Sequence, residues 1–170
     1  FVDKDTGLRR FREAMFYCGR KNGKTVLMSS LALYMMMADG EGGAEVYSIA
    51  TKYEQARILF DEAHNMVRQS PYLSKHVRKR KTDLYFDATM SLFRPLGKNS
   101  NTLDGTNSHA VFVDELHAVQ DRGLYDVMRQ SMSARRQPLL IIITTAGTVR
   151  EGVFDDLYSY ACQVADGTFE

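Results

Sequence analysis

Apolar runs and helix-spaced patterns alternate along this chain. Ala14–Cys18 is a short apolar run that stops at Gly19 and predicts a first strand. Lys24–Ala38 carries apolar residues at helical spacing and ends before the Gly40–Gly43 cluster, which breaks it. Glu45–Ala50 reads as a second strand. Thr51 is the expected N-cap of the next helix, with Glu54 three residues on as its capping-box partner. That helix is expected to run to about Gln69, where Ser70-Pro71 stops it. Asp83–Asp87 and Ser91–Leu96 flank an Ala-Thr-Met turn and predict an antiparallel hairpin attached to the main sheet. Lys98–Asn107 is polar and rich in Gly and Asn, a loop. Ala110–Val113 reads as a buried strand, Leu124–Arg135 as a helix, and Pro138–Thr144 as a buried strand. Phe154–Ala165 is a closing helix ended by Gly167. Strands that alternate with helices in this way predict an α/β fold with a mainly parallel central sheet.

Composition narrows the class. A chain of 170 residues suits one domain that buries roughly two thirds of its unfolded surface. With 44% hydrophobic and 25% charged residues, disorder is not expected. The net charge of +1 leaves no general basic excess, so any nucleic-acid contact must come from a local patch. Two cysteines, Cys18 and Cys162, make no disulfide framework and fit a reducing compartment. The longest apolar run, Leu31–Ala38, is shorter than a membrane span and reads as a buried helix. The opening Phe-Val-Asp-Lys-Asp, without a starting Met or a signal peptide, gives the expectation of a domain excised from a longer chain.

Candidate chemistry lies where a strand hands over to a helix. Cys18-Gly19-Arg20-Lys21-Asn22-Gly23-Lys24-Thr25 has the context a phosphate-binding loop requires. Such a loop must turn sharply and aim backbone N–H groups at phosphate oxygens, which Gly23 permits. The following helix adds its positive N-terminal end. Lys24 would neutralise β- and γ-phosphates of ATP, and the Thr25 hydroxyl would ligate Mg²⁺. The first Gly of the usual pattern is displaced by one position, with Cys18 in its place and Gly at Gly19. The plain alternative is a strand-to-helix turn with Cys18 as a small buried residue.

A second motif, Ala110-Val-Phe-Val-Asp114-Glu115-Leu-His117, sets two carboxylates at the C-terminal end of a buried strand, where open α/β sheets bind ligands. Asp114 would hold Mg²⁺ through water, and Glu115 would orient and deprotonate the attacking water. An Asp-Glu pair at an ordinary helix start is the bland reading. His117 could sense nucleotide, though a packed histidine is the commoner case.

Four blocks in order, Phe16–Thr25, Thr102-Leu-Asp-Gly105, Val111–Ala118 and Ile141–Gly147, resemble the terminase large subunit of tailed phages. The resemblance implies a single P-loop NTPase domain over residues 1–170, a three-layer fold with a mainly parallel sheet and an attached antiparallel hairpin. It implies an ATPase that drives double-stranded DNA into a procapsid in the cytoplasm of a bacterial host. A terminase small subunit, a portal protein and a ring of copies are its implied partners. Arg20 occupies the place where the family commonly carries Arg, and would stabilise the transition-state charge. Thr144-Thr145-Ala146 matches the family's coupling motif, which relays the nucleotide state; a Thr-rich strand end is the alternative. The family's adenine-contacting segment lies upstream of the phosphate loop, and residues 1–14 hold no convincingly placed Gln. No C-terminal nuclease is expected within 170 residues. A neighbouring copy could supply an arginine, with Arg94, Arg122, Arg129, Arg135 and Arg136 all open.

Lys75-His-Val-Arg-Lys-Arg-Lys81 is the densest positive run, either a solvated turn or a contact for DNA phosphates. Two rivals remain: a helicase-type ATPase, since Asp114-Glu-Leu-His117 resembles a D-E-x-H box, and a nucleotide-binding assembly module without turnover.

Overall fold

A computed structural model describes residues 2–97, 105–114, 122–144 and 153–168. The elements are β1 (Glu13–Tyr17), α1 (Lys24–Met37), β2 (Glu45–Ala50), α2 (Tyr53–Gln69), α3 (Pro71–His76), β3 (Val77–Lys79), β4 (Leu84–Phe86), β5 (Ser91–Gly97), β6 (Ser108–Asp114), α4 (Arg122–Ser131), β7 (Leu139–Thr144) and α5 (Val153–Ala165). Among the described residues they form a seven-stranded sheet in the order β1-β7-β6-β2-β5-β4-β3. The first five strands of that order run parallel, and β4 and β3 continue it antiparallel. The hairpin expected beside the sheet is therefore its continuation, because its second strand, β5, is itself a parallel partner of β2.

Strand alternation sorts the core into two layers. Phe16, Val46, Phe93, Ala110, Phe112, Ile141 and Ile143 pack with α1 and α2 on one face. Tyr47, Ile49, Val111, Val113, Leu140 and Ile142 pack with Leu124, Tyr125 and Met128 of α4 on the other. Parallel strands covered on both faces read as continuous apolar runs, which is why β6 and β7 were visible in the sequence. The result is the three-layer α/β arrangement expected.

Local expectation and structure part company in three places. Thr51 does not cap α2. Lys52 takes that position in extended backbone, with no side-chain cap, and its carbonyl accepts from the N–H groups of Gln55 (3.1 Å) and Ala56 (3.2 Å). The start is set by packing: a Cβ built on Gly97 would lie 3.2 Å from Tyr53 Cβ, so α2 begins hard against the end of β5. Ser70-Pro71 ends α2 as expected but also starts α3, with Pro71 in the first turn and Ser70 Oγ accepting from Leu73 N–H at 3.2 Å. The helix expected over Leu124–Arg135 ends at Ser131 and continues as tight turns, with Met132, Ser133 and Arg135 each bonding back three residues. Arg135 accounts for the change. Its guanidinium reaches the carbonyls of Gly43 (2.6 Å), Gly42 (3.2 Å) and Asn107 (3.0 Å), and Glu41 at 3.1 Å.

At the edge of the sheet where the parallel strands begin, Arg9, Asp39 and His109 form a polar cluster. Arg9 Nη2 and His109 Nε2 lie 2.6 and 2.7 Å from the Asp39 carboxylate, and His109 is fully buried. Burial pushes the Asp39 carboxyl up, but the hydrogen bonds from His109 and Arg9 outweigh it and hold the group below its ordinary value. A depressed folded-state value stabilises the fold above the unfolded value, and that stability is lost as pH falls through the folded one. Asp39→Asn is expected to be about 1–3 kcal/mol less stable at pH 6. The gap in melting temperature to the parent should narrow below about pH 4. A gap independent of pH would contradict the ionised role of Asp39.

Candidate phosphate-binding site

Register brings the motifs to one edge. Tyr17, the last residue of β1, is level with Thr144 of β7, and Asp114 of β6 is level with Ile143 of β7. The tips of β1 and β6 thus flank that of β7. The N–H of Cys18 donates to the Thr144 carbonyl at 3.3 Å, which carries the β1–β7 ladder one residue further. The chain then turns. Lys21 (φ 64°) and Gly23 (φ 70°) both adopt left-handed backbone, a conformation Gly takes without strain and Lys does not. Asn22 Nδ2 donates to the Gly19 carbonyl at 3.2 Å and ties the loop across its base. A Cβ on Gly19 would meet that same nitrogen at 3.1 Å.

Gly23 is the N-cap of α1 and supplies no side-chain acceptor, and the first turn has no acidic residue. Leu27 N–H bonds back to the Gly23 carbonyl at 3.1 Å, which leaves the amides before it without helical acceptors. A helix end left uncapped and uncountered in this way attracts an anion.

Lys24 opens α1, and its Nζ lies 3.7 Å from Asp114 Oδ1, with 16% and 12% of the two side chains exposed. These groups are far apart in sequence, yet they meet over the tip of β7. Thr25 is half-buried beside Lys24, and Thr144 is fully buried at the middle tip. The Thr25 hydroxyl and the Asp114 carboxylate are hard oxygen donors. Mg²⁺ takes one or two protein oxygens with waters and substrate phosphates, so this donor set fits it. Among the described residues no group of three His, Cys, Asp or Glu side chains could hold a metal by itself. Glu115, His117, Thr145, Ala146, Thr102, Leu103 and Asp104 lie outside the described residues.

The remaining candidates separate. Arg20 is exposed in the loop and makes no ion pair among the described residues. Cys18 is a half-buried free thiol at the strand end. Of the arginines open for action on a neighbour, Arg135 is tied down in its own chain, Arg94 pairs with buried Asp83 at 3.2 Å, and Arg129 pairs with Glu13 at 2.9 Å. Arg136 is exposed, and the side chain of Arg122 lies outside the description. The Arg9–Asp39–His109 cluster was not singled out in the sequence, since its members come from three separate segments and carry no local motif. A cleft of about 770 Å³ opens at the other end of β1, lined by Arg12, Glu13, Tyr125, Arg129 and Tyr160 among others. It is remote from Lys24 and Asp114, which meet over the tip of β7.

The family model for the ATPase domain of the terminase large subunit matches residues 2–163. The terminase large subunit of Lactococcus phage p2 is 28% identical over 160 residues, which cover 91% of this chain and 30% of that protein. The crystal structure of the HK97 bacteriophage large terminase superposes with a TM-score of 0.82 at 24% identity, covering 91% of this chain and 33% of the other. The large terminase of a thermophilic bacteriophage, in complex with ATP-gamma-S, superposes at 0.60 with 16% identity, covering 78% and 32%. The chain spans about a third of the length of these relatives. With the family model matched over nearly its whole length, and Lys24 at the start of α1 set against Asp114 at the tip of β6, this chain belongs to the terminase large subunit ATPase-domain family.

Proposed function

We propose that residues 1–170 act as a Mg²⁺-dependent ATPase, the motor domain that drives double-stranded DNA into a procapsid. The observation that carries the reading is the 3.7 Å approach of Lys24 to Asp114 across the tip of β7. A cation and an acid set at adjacent strand tips beside an uncapped helix suit a phosphate chain and its counter-ion. The thermophilic phage terminase in complex with ATP-gamma-S supports an adenine nucleotide as the ligand.

Gly19–Thr25 wrap the phosphates, with backbone amides from the loop and α1 as donors. Lys24 moves its charge from Asp114 to the β- and γ-phosphates. Thr25 and Asp114 would hold Mg²⁺, which neutralises phosphate charge when bound. Glu115 takes the proton of the attacking water. Arg20, exposed and without an acid partner among the described residues, would neutralise charge that develops on the γ-phosphate. Thr144 sits buried between the two halves of the site and, with Thr145 and Ala146, passes the nucleotide state to the rest of the motor. Double-stranded DNA, a small subunit, a portal protein and a ring of copies in the host cytoplasm complete the assembly.

The deciding experiment is ATP turnover by this chain with Mg²⁺, parent against Glu115→Gln. Turnover in the parent that the variant loses supports the motor reading. A parent that binds ATP and never turns it over would make the domain a nucleotide-gated assembly module.

A further inference from the structure

The seven residues Lys75–Lys81 hold five cations and a histidine in a chain whose net charge is only +1. The fold places them as α3, the edge strand β3 and the turn into β4. Val77 points into the core and pins the segment. Two of the cations are used to build the turn. Arg78 pairs with Asp87 at 2.5 Å, across the β3–β4 hairpin. Arg80 lies over the Tyr85 ring at 3.7 Å from its centre and reaches Asp83 at 3.6 Å. Asp83, itself buried, also accepts from Arg94 of β5 at 3.2 Å, which ties the turn to the parallel sheet. Lys75, Lys79 and Lys81 are left exposed, with no ion pair among the described residues.

We infer that Lys75, Lys79 and Lys81 form a contact for the phosphate backbone of duplex DNA. This rests on the reading of the chain as a DNA motor and adds the surface that touches the DNA. Charged residues on an edge strand often serve only to block pairing with other sheets. Only Lys79 lies on that three-residue edge strand; Lys75 lies in the last turn of α3 and Lys81 sits in the turn into β4, so guarding the edge does not account for them. Position favours a working surface. β3 runs parallel to β5, so the turn at residues 80–83 points to the same edge of the sheet as Asp114. Four strand spacings separate β3 from β6, roughly 19 Å. The path between them is an unbroken hydrogen-bonded sheet, closed at the turn by the Arg94–Asp83 pair. A shift at the nucleotide edge is thereby mechanically connected to Lys79 and Lys81, and Lys75, two residues before β3, extends the patch back from the strand.

The test is fluorescence anisotropy of a labelled duplex across a salt series. It compares the parent, Lys75→Ala/Lys79→Ala/Lys81→Ala, and a control, Lys4→Ala/Arg10→Ala, whose exposed cations lie on the opposite flank. Each phosphate contact contributes about 0.9 to the slope of log affinity against log salt. The triple variant is expected to lose about 2.7 from that slope and to bind on the order of tenfold or more weakly at low salt. The control should keep the parent's slope, and ATP turnover without DNA should be unchanged in all three. A triple variant with the parent's affinity and slope overturns this surface while leaving the DNA motor standing. A parent that turns over ATP yet binds no duplex at low salt overturns both.

Discussion

Lys24→Ala is expected to lower ATP turnover on the order of a thousandfold and to weaken nucleotide binding, with little change in melting temperature. The magnitude follows from where the charge acts. An exposed ion pair contributes less than about 1 kcal/mol. At a half-buried site with an effective dielectric near 20, a charge about 4 Å from its partner interacts by about 4 kcal/mol. Lys24 keeps only 16% of its side chain exposed and lies at the mouth of the loop, so the second figure applies. Each 1.4 kcal/mol or so is a factor of ten in rate, which gives about three orders of magnitude. Lys24→Arg is the sharper control. It keeps the charge but replaces a compact ammonium with a planar fork that presents its donors differently, and most of the loss should persist. A parent-like rate in Lys24→Ala would remove the loop from the chemistry.

Glu115→Gln should separate binding from hydrolysis. A general base contributes typically 10²- to 10⁴-fold, and Gln keeps the size of the side chain while losing the proton acceptor. Nucleotide affinity is expected to stay within about twofold of the parent, because Gly19–Thr25 and Asp114 are intact, while turnover falls by two orders of magnitude or more. Measuring both on one preparation distinguishes the outcomes. Equal losses of binding and turnover would make Glu115 a ligand-holding residue and leave the base unassigned.

The parts of this fold that sequence patterning captured are those governed by burial over several residues. β2 and the start of α1 fall at the expected residues, and β6 and β7 needed only slight extension or trimming, because apolar runs covered on both faces admit few alternatives. The turn from β1 into α1 was legible for a different reason: Gly23 meets a local backbone need, the left-handed conformation from which α1 starts. Features set by distant contacts were not legible. Tyr53 seats against Gly97, and that seat overrides the local cap offered by Thr51. Arg135 binds carbonyls some ninety residues away in sequence and shortens α4. Charge density alone marked Lys75–Lys81 but could not distinguish a solvated turn from α3 and β3, since Val77 is the segment's one deeply buried side chain.

The most direct measurement of whether the phosphate loop and the acidic strand tip form one site is ATP affinity with and without Mg²⁺, in the parent and in Asp114→Asn. In the parent, Mg²⁺ is expected to strengthen binding. In Asp114→Asn, metal-free affinity should hold or rise, because Lys24 is released from its partner and a negative charge no longer faces the phosphates. The Mg²⁺-dependent gain should then largely disappear. The same Mg²⁺ gain in both proteins would mean that Lys24 and Asp114 do not share a bound nucleotide.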